Sequence, residues 1–205
     1  MTEEKLEKIF EFLKIAEKLK SVLRYNKLTT GRKESAAEHC WRVALMVLLL
    51  HQELELKLDR ESCLKMALVH DIAEAITGDI DAVLVAEGKA SKQEKDKLEQ
   101  EATEKIKSTL PQETGEMIYN MWQEYQKGES QGARFVKAVD KLETLTQLVE
   151  SGYKIYDKPQ FIANYADKAV DRFPALKPVL LEIKRRLKRE FEKGNIEWQE
   201  KYNEL

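Results

Sequence analysis

The residues with the clearest chemical potential lie in the segment 68–79, which reads LVHDIAEAITGD. It contains one imidazole, on His70, and three carboxylates, on Asp71, Glu74 and Asp79. On a helix with 3.6 residues per turn, the first three of these side chains fall within an arc of about 100°. Burying that arc is unfavourable unless its groups are paired or bind a metal. Because imidazole and carboxylate are good ligands for a divalent cation, the segment predicts a metal site.

A plainer interpretation is a His-Asp pair at a helix end whose groups cap the helix or face water. Two details favour the metal site. The small and apolar residues 66–69 precede His70 and Asp71, so the chain is expected to reach this pair from the hydrophobic core. Gly78 is expected to end the helix, which leaves the Asp79 carboxylate near the same opening.

The composition predicts one all-α domain over residues 1–205, since good helix formers dominate over 8 glycines and 4 prolines. The 35 basic and 37 acidic residues are closely mixed, which argues against binding to duplex nucleic acid or to an anionic membrane. No apolar run approaches the roughly 20 residues of a membrane span. Two cysteines without a CxxC spacing and a charged N-terminus lead us to expect a cytoplasmic protein.

Apolar residues at helical spacing predict a first helix over about 2–20. Residues 21–35 do not continue this pattern and contain several loop formers. Arg24 and Tyr25 place a basic and an aromatic group in this segment. On pattern alone, it is interpreted as a solvated surface loop.

Ser35 and Glu38 predict a capping box at the start of a second helix, which runs over about 36–56. Residues 43–50 are apolar nearly all round, so we expect this helix to be central and buried. His39 lies one turn inside the helix on an apolar face. A lone histidine in such a place is usually a hydrogen-bonded core residue, and that alternative stays open.

Further helices are predicted from cap and breaker residues. They span approximately 60–77, 91–110, 113–127, 133–150 and 178–193, with an irregular segment at 79–89. In the helix over 133–150, Asp140 lies opposite the main apolar stripe, so spacing alone predicts a surface acid. The helices after residue 160 are expected to pack on the rest of the domain.

Four spaced residues carry a family resemblance: His39, His70, Asp71 and Asp140. Their pattern resembles that of the HD superfamily of metal-dependent phosphohydrolases. The H-D-x-x-E-x-x-x-x-D spacing at 70–79, ESAAEH at 34–39 and FVKAVDK at 135–141 are similar to the 5′-deoxynucleotidase branch and its eukaryotic HD-domain-containing relatives. The resemblance covers about residues 15–150.

The resemblance implies an all-helical bundle with one divalent ion held by His39, His70, Asp71 and Asp140. A mixed nitrogen and oxygen ligand set accepts Mn, Co, Fe, Ni, Cu or Zn, so the metal is not identified. The chain has only 3 histidines, which favours one ion over the pair found in dinuclear HD enzymes. A homodimer is expected from the resemblance and from the aromatic, amphipathic helices after residue 113.

The implied reaction is hydrolysis of (deoxy)nucleoside 5′-monophosphates. The metal would bind a phosphate oxygen, acidify a water, or both, and Glu74 would orient or deprotonate that water. Asp79 would hold the sugar or assist the leaving oxygen. Arg24 matches the family's phosphate-binding arginine, and a guanidinium suits phosphate because it donates two parallel hydrogen bonds. Tyr25 stands where bacterial members have a tryptophan that helps to distinguish deoxyribose from ribose, and Lys137 is either a phosphate contact or a solvated lysine.

Two other functions remain open. One is a different HD phosphohydrolase, which would cleave a pyrophosphate, a phosphodiester or an alarmone and release distinguishable products. The other is a non-catalytic domain for nucleotide sensing or protein interaction that keeps a structural metal. For the latter, Glu74→Gln would leave function intact, whereas His70→Ala would unfold the protein.

Overall fold

The computed structural model describes residues 1–79 and 91–203, and its core is formed by helices. The helices are α1 (Glu3–Ala16), α2 (Ala36–Glu53), α3 (Arg60–Val69), α4 (Glu74–Thr77), α5 (Lys92–Thr109), α6 (Gln112–Lys127), α7 (Gln131–Ser151), α8 (Pro159–Ala163), α9 (Asp167–Asp171) and α10 (Lys177–Lys193). The predicted all-α fold is therefore confirmed. Of the irregular segment predicted at 79–89, only Asp79 lies within the described residues. Among these residues, no helix combines the length and apolar character needed to cross a membrane.

The helix ends follow local signals in the sequence. The Ser35 side chain accepts a hydrogen bond from the Glu38 amide, and the Glu38 carboxylate accepts one from the Ser35 amide, so the predicted capping box at α2 is confirmed. Asp59 caps α3 by accepting a hydrogen bond from the Glu61 amide. These caps satisfy backbone N–H groups that have no partner within the helix.

The segment around His70 is not one continuous helix as the periodicity predicts. α3 ends at Val69, a turn occupies 70–73, and α4 then begins at Glu74. In the turn, the Glu74 amide donates a hydrogen bond to the carbonyl of Asp71, three residues earlier. This spacing is typical of a 3-10 turn, which is tighter than an α-helix. The positive φ of 74° at Gly78 ends α4 at the predicted place.

The long helix α7 lies at the centre of the fold and packs against α2, α3, α6 and α10. Its apolar stripe, with Phe135, Leu142 and Leu145, joins a hydrophobic cluster that extends to α10. The opposite face is also covered, and Asp140 is only 4% exposed. The interpretation of Asp140 as a surface acid is therefore wrong, because α7 is buried on both sides.

The second helix is less buried than its composition predicts. α2 packs on α3 and α7 along one side, where Val43 and Val47 are fully buried. Its other side presents large apolar side chains to solvent. These are Trp41, Leu45, Leu48 and Leu49. The expectation of a helix buried all round is wrong because α2 lies at an edge of the packed helices.

Residues 21–35 form a two-stranded antiparallel ribbon rather than a solvated loop. Strands β1 (Leu23–Lys27) and β2 (Lys33–Ser35) pair with Leu23 opposite Ser35, and β1 packs on α7. The Asn26 side chain is buried and donates a hydrogen bond to the Thr144 carbonyl. This ribbon carries Arg24 and Tyr25 to the wall of a cavity beside α7.

Candidate metal centre and substrate cavity

The four side chains expected to hold a metal converge in the interior. His39 comes from α2, His70 and Asp71 follow α3, and Asp140 comes from α7. His39 Nε2 lies 3.4 Å from His70 Nε2 and 3.2 Å from Asp140 Oδ1. Asp71 Oδ2 lies 3.3 Å from His70 Nε2 and 3.8 Å from His39 Nε2. The ligand atoms of His39, His70 and Asp71 thus lie within 4.8 Å of one another, and Asp140 approaches this group at His39.

The second ring nitrogen of each imidazole has a partner of its own. His70 Nδ1 lies 2.8 Å from the Ala67 carbonyl oxygen, and His39 Nδ1 lies 2.5 Å from Glu143 Oε2. We assign the ring proton to Nδ1 in both cases, because these oxygens can only accept. In the neutral ring that metal binding requires, the lone pair is then on Nε2, which faces the carboxylates. This arrangement is the usual support for histidines that bind metals.

Asp140 is held in a similar manner, with one oxygen supported and the other directed to His39, whereas Asp71 makes both kinds of contact through Oδ2. Asp140 Oδ2 accepts a hydrogen bond of 2.7 Å from the Tyr125 hydroxyl and lies 3.1 Å from Lys141 Nζ. Asp140 Oδ1 faces His39, while Asp71 Oδ2 accepts from Arg24 at 3.2 Å. Two imidazoles and two carboxylates with this support fit a divalent cation of the borderline class.

Neighbouring charges favour the ionised form of both carboxylates. Burial opposes ionisation of Asp140, but Lys141 and His39 hold its pKa well below the usual value. Burial likewise opposes ionisation of Asp71, and His70 and Arg24 hold its pKa below the usual value. The imidazoles therefore lie in an environment that favours positive charge. A bound cation would take the place of protons here, so metal binding is expected to release protons.

Glu74 is a buried carboxyl group at the first position of α4. It is 4% exposed, and its Oε2 atom has no hydrogen-bond partner among the described residues. Burial, together with the charges of Asp71 and Asp79, raises the pKa of Glu74 to about 9. Its proton affinity is high enough for a general base or acid. It begins a separate helix, so the expectation that it follows His70 by one turn of the same helix is wrong.

A cavity of about 300 Å³ opens beside these residues, which is within the size range of small-molecule sites. The residues expected to contact substrate or take part in catalysis all line it. They are Arg24, Tyr25, Glu74, Asp79 and Lys137. Asp71 and Asp140 also line the cavity, so the candidate metal centre forms part of its wall.

Arg24 links the candidate metal centre to the cavity. Its guanidinium donates to Asp71 Oδ2 at 3.2 Å and to Thr144 Oγ1 at 3.4 Å, and its Nε atom lies 3.6 Å from Glu34 Oε2. The hydroxyl of the neighbouring Tyr25 is already engaged, because it donates to the Asp157 carboxylate and lies 3.3 Å from the Ile155 carbonyl. The ring, rather than the hydroxyl, is thus the part of Tyr25 available to a ligand.

Lys137 lies in the cavity wall and is not a fully solvated lysine. Its Nζ atom lies 4.1 Å from the centre of the Tyr125 ring, a cation–π contact. Burial lowers the pKa of Lys137 to about 8, with Asp140 opposing this effect and Lys141 and Arg172 adding to it. A lysine with this pKa changes its charge within the pH range in which an enzyme assay is practicable.

Glu143 is the residue of the site that sequence reasoning missed. It is completely buried on α7, where it contacts His39 and lies 3.7 Å from the Arg42 Nε atom. The available signal was its position three residues after Asp140, which places both carboxylates on one side of the helix. Glu34, His39 and Glu143 form a second buried group whose ligand atoms lie within 4.8 Å of one another.

Known proteins resemble this chain in sequence over most of its length. The HD domain family matches residues 16–176. Human 5′-deoxynucleotidase HDDC2 is 32% identical over 168 residues, which are 80% of this chain and 78% of the human protein. The protein of the same name from Dictyostelium discoideum is 36% identical over 148 residues, which are 68% of this chain and 75% of that protein.

Solved structures of other proteins are also similar to this chain. A predicted metal-dependent phosphohydrolase from Magnetospirillum magnetotacticum matches with a TM-score of 0.77 and 26% identity over 95% of this chain and 99% of that one. The PH0347 protein from Pyrococcus horikoshii matches with a TM-score of 0.68 and 26% identity over 86% of this chain and 99% of that one. The family resemblance is confirmed, and the chain belongs to the HD domain family.

Proposed function

We propose that the protein is a metal-dependent 5′-nucleotidase that hydrolyses (deoxy)nucleoside 5′-monophosphates to nucleoside and phosphate. The observation that carries this proposal is the convergence of His39, His70, Asp71 and Asp140, because the two aspartates of this group line a small-molecule cavity whose wall also contains Arg24. The similarity to proteins named 5′-deoxynucleotidase supports the choice of substrate.

One divalent cation would be held by His39, His70, Asp71 and Asp140, and its identity among Mn, Co, Fe, Ni, Cu and Zn is left to experiment. When bound, it would supply Lewis-acid stabilisation of phosphate charge and a lower pKa for water. A single ion is supported by the place of the third histidine. His51 is twelve residues after His39 on α2, about 18 Å along the helix axis, and lies 3.0 Å from the Leu58 carbonyl.

The side chains around the cavity would divide the remaining work. Arg24 and Lys137 would bind the phosphate, since both are cations in the wall beside the metal residues. Glu74 would take the proton of the attacking water once the charge of a bound cation has lowered its pKa and ionised it, and its Oε2 atom lacks a partner among the described residues. The water oxygen would bond to phosphorus as the P–O5′ bond breaks, and O5′ would take up one proton, passed on from Glu74 or supplied by solvent, so that the nucleoside leaves as an alcohol. Asp79 would hold the sugar or assist this leaving oxygen.

The direct test is release of inorganic phosphate from a nucleotide panel crossed with a panel of divalent metals. We expect release from dAMP, dGMP, dCMP and dTMP with at least one metal. We expect release to cease with a chelator and to return when the metal is restored. Absence of phosphate with every metal would contradict the proposal. Release of pyrophosphate or of a nucleotide from other substrates would indicate a different HD phosphohydrolase.

The same assay distinguishes a catalytic role of Glu74 from a structural one. Glu74→Gln keeps the size of the side chain but removes proton transfer, so we expect phosphate release to fall roughly 100-fold or more. Metal content and thermal stability are expected to stay near those of the parent protein. Unchanged hydrolysis by this variant would support the non-catalytic alternative.

We also propose that the protein is a cytoplasmic homodimer. The aromatic residues Trp122 and Tyr125 of α6 are buried within the chain, so they do not supply a subunit contact. The exposed apolar side of α2, with Trp41 and Leu45, is the better support. The free, buried thiols of Cys40 and Cys63 are compatible with a reducing compartment.

Light scattering on the purified protein tests the dimer. We expect twice the chain mass for the parent protein and the single-chain mass for Trp41→Glu combined with Leu45→Glu. A Phe10→Glu variant, which alters an exposed apolar residue of α1, serves as the matched control. A single-chain mass for the parent protein at all concentrations would contradict the dimer.

A further inference from the structure

The cavity wall changes from polar to apolar along a single face of α7. Asp140, Thr144 and Leu148 all line the cavity and are spaced four residues apart, so they lie on one side of the helix. At 1.5 Å per residue, successive members are about 6 Å apart along the axis. A carboxylate in the candidate metal centre is thus followed by a hydroxyl and then by an aliphatic side chain.

The neighbouring elements repeat this order. Near the metal residues, the wall is charged. At the level of Thr144, the hydroxyl accepts from the Arg24 guanidinium, and the carbonyl of the same residue accepts from Asn26, so this level offers hydrogen-bonding groups. The short helix α8 contributes Phe161 and Ile162 to the cavity, and Ile162 belongs to the same hydrophobic cluster as Leu148. Lys158, just before α8, also lines the cavity.

The far end has the features of a contact surface for a flat ring. Ile162 is buried and belongs to the same hydrophobic cluster as Leu148. Phe161 is only partly buried, and its ring lies 5.4 Å from that of Tyr165, with the two planes inclined by 54°. A partly buried aromatic side chain in a cavity wall is able to contact a flat ring of a ligand.

We propose that Leu148, Phe161 and Ile162 bind the nucleobase of the substrate by stacking and apolar contact. This inference rests on the proposed function, which places the phosphate at the other end of the cavity. A nucleoside monophosphate has the same order as the wall: a charged phosphate, a polar sugar and a flat, weakly polar base. About 12 Å along α7 separates the levels of Asp140 and Leu148, which accommodates this extended substrate.

Recognition of this kind is tolerant of the base. Stacking uses the face that every base possesses, whereas hydrogen bonds to the base edge discriminate among bases. The inference therefore predicts that all four deoxynucleotides are substrates, with a lower KM for the purines because their rings cover more of the apolar surface.

Comparison of dAMP with 2-deoxyribose 5-phosphate tests the inference, since the second compound has the phosphate and the sugar but lacks the base. With the metal-loaded parent protein, we expect a higher kcat/KM for dAMP. Loss of a stacking partner costs about 5-fold to 100-fold in base binding. Phe161→Ala should therefore lower kcat/KM for dAMP by about that factor and leave the base-free substrate nearly unaffected. Equal losses for both substrates, or no loss for dAMP, would overturn the inference.

Three further measurements separate this role from folding and from the proposed activity. Phe161→Tyr keeps the ring and should retain most of the preference for dAMP. Phe10→Ala removes an exposed ring from α1 and should change neither substrate. Binding of deoxyadenosine, followed by saturation-transfer NMR, should be strong for the parent protein and weak for Phe161→Ala, and equal binding would overturn the inference. If no nucleotide is hydrolysed while nucleoside binding still depends on Phe161, the proposed function fails and the base site stands.

Discussion

The two ends of the cavity differ in how their side chains are held. At the metal end, His39, His70 and Asp140 are at most 4% exposed, and each has a second polar partner that fixes its orientation. At the other end, Phe161 is partly exposed and lies on α8, a helix of 5 residues. The difference indicates that the chemistry depends on a rigid interior, whereas the range of substrates depends on a wall that substitution alters more easily.

The largest effect is expected from the removal of one ligand at the metal end. Asp140→Asn keeps the shape but loses the charge, and we expect hydrolysis of dAMP and of deoxyribose 5-phosphate to fall together by roughly 1000-fold. Phosphate release and metal content measure the effect. Asp171→Asn, at an exposed aspartate beside Lys177, is the control. A loss confined to dAMP would contradict the separation of the two ends.

A smaller loss is expected when Glu143, which contacts His39 Nδ1, is substituted. Glu143→Gln leaves a weaker partner for the His39 Nδ1 proton, so we expect metal affinity to fall roughly 10-fold to 100-fold. At saturating metal, kcat should recover, and the preference for dAMP over the base-free substrate should persist. Glu150→Gln, at a more exposed acid on the same helix, should change neither quantity. Unchanged metal affinity in Glu143→Gln would exclude this supporting role.

The smallest effect concerns Lys137, which lines the cavity one turn of α7 before Asp140. Its pKa of about 8 means that the ammonium is charged below this pH and neutral above it. Inhibition by inorganic phosphate should therefore weaken a few-fold between about pH 7 and about pH 9. Lys137→Arg stays charged throughout this range and should lose that part of the pH dependence. Identical pH profiles for both proteins would show that Lys137 does not bind phosphate.

Sequence predicted best those features whose partners are close along the chain. The capping box of Ser35 and Glu38 depends on residues three positions apart, and Gly78 ends α4 through its own backbone conformation. The turn at 70–73 was missed because no glycine or proline marks it. At the end of α3, His70 Nδ1 contacts the Ala67 carbonyl, next to the side chains expected to bind the metal.

The features that sequence failed to predict depend on distant packing. Periodicity locates the main apolar stripe of α7 but contains no information on what covers the opposite face, so it predicts a surface acid at the buried Asp140. The pairing of Leu23 with Ser35 similarly depends on β1 packing against α7. The four expected ligands were found from a resemblance in spacing, and their convergence could not be derived from any one helix.

The central claim is that four side chains from three parts of the fold hold a single cation. Crystals grown with Mn²⁺ and measured for anomalous scattering test it directly. We predict one peak per chain, within bonding distance of His39 Nε2, His70 Nε2 and one carboxylate oxygen each of Asp71 and Asp140. A peak at the Glu34 and Glu143 side of His39, a pair of peaks, or no peak at a metal concentration that supports activity would contradict the account.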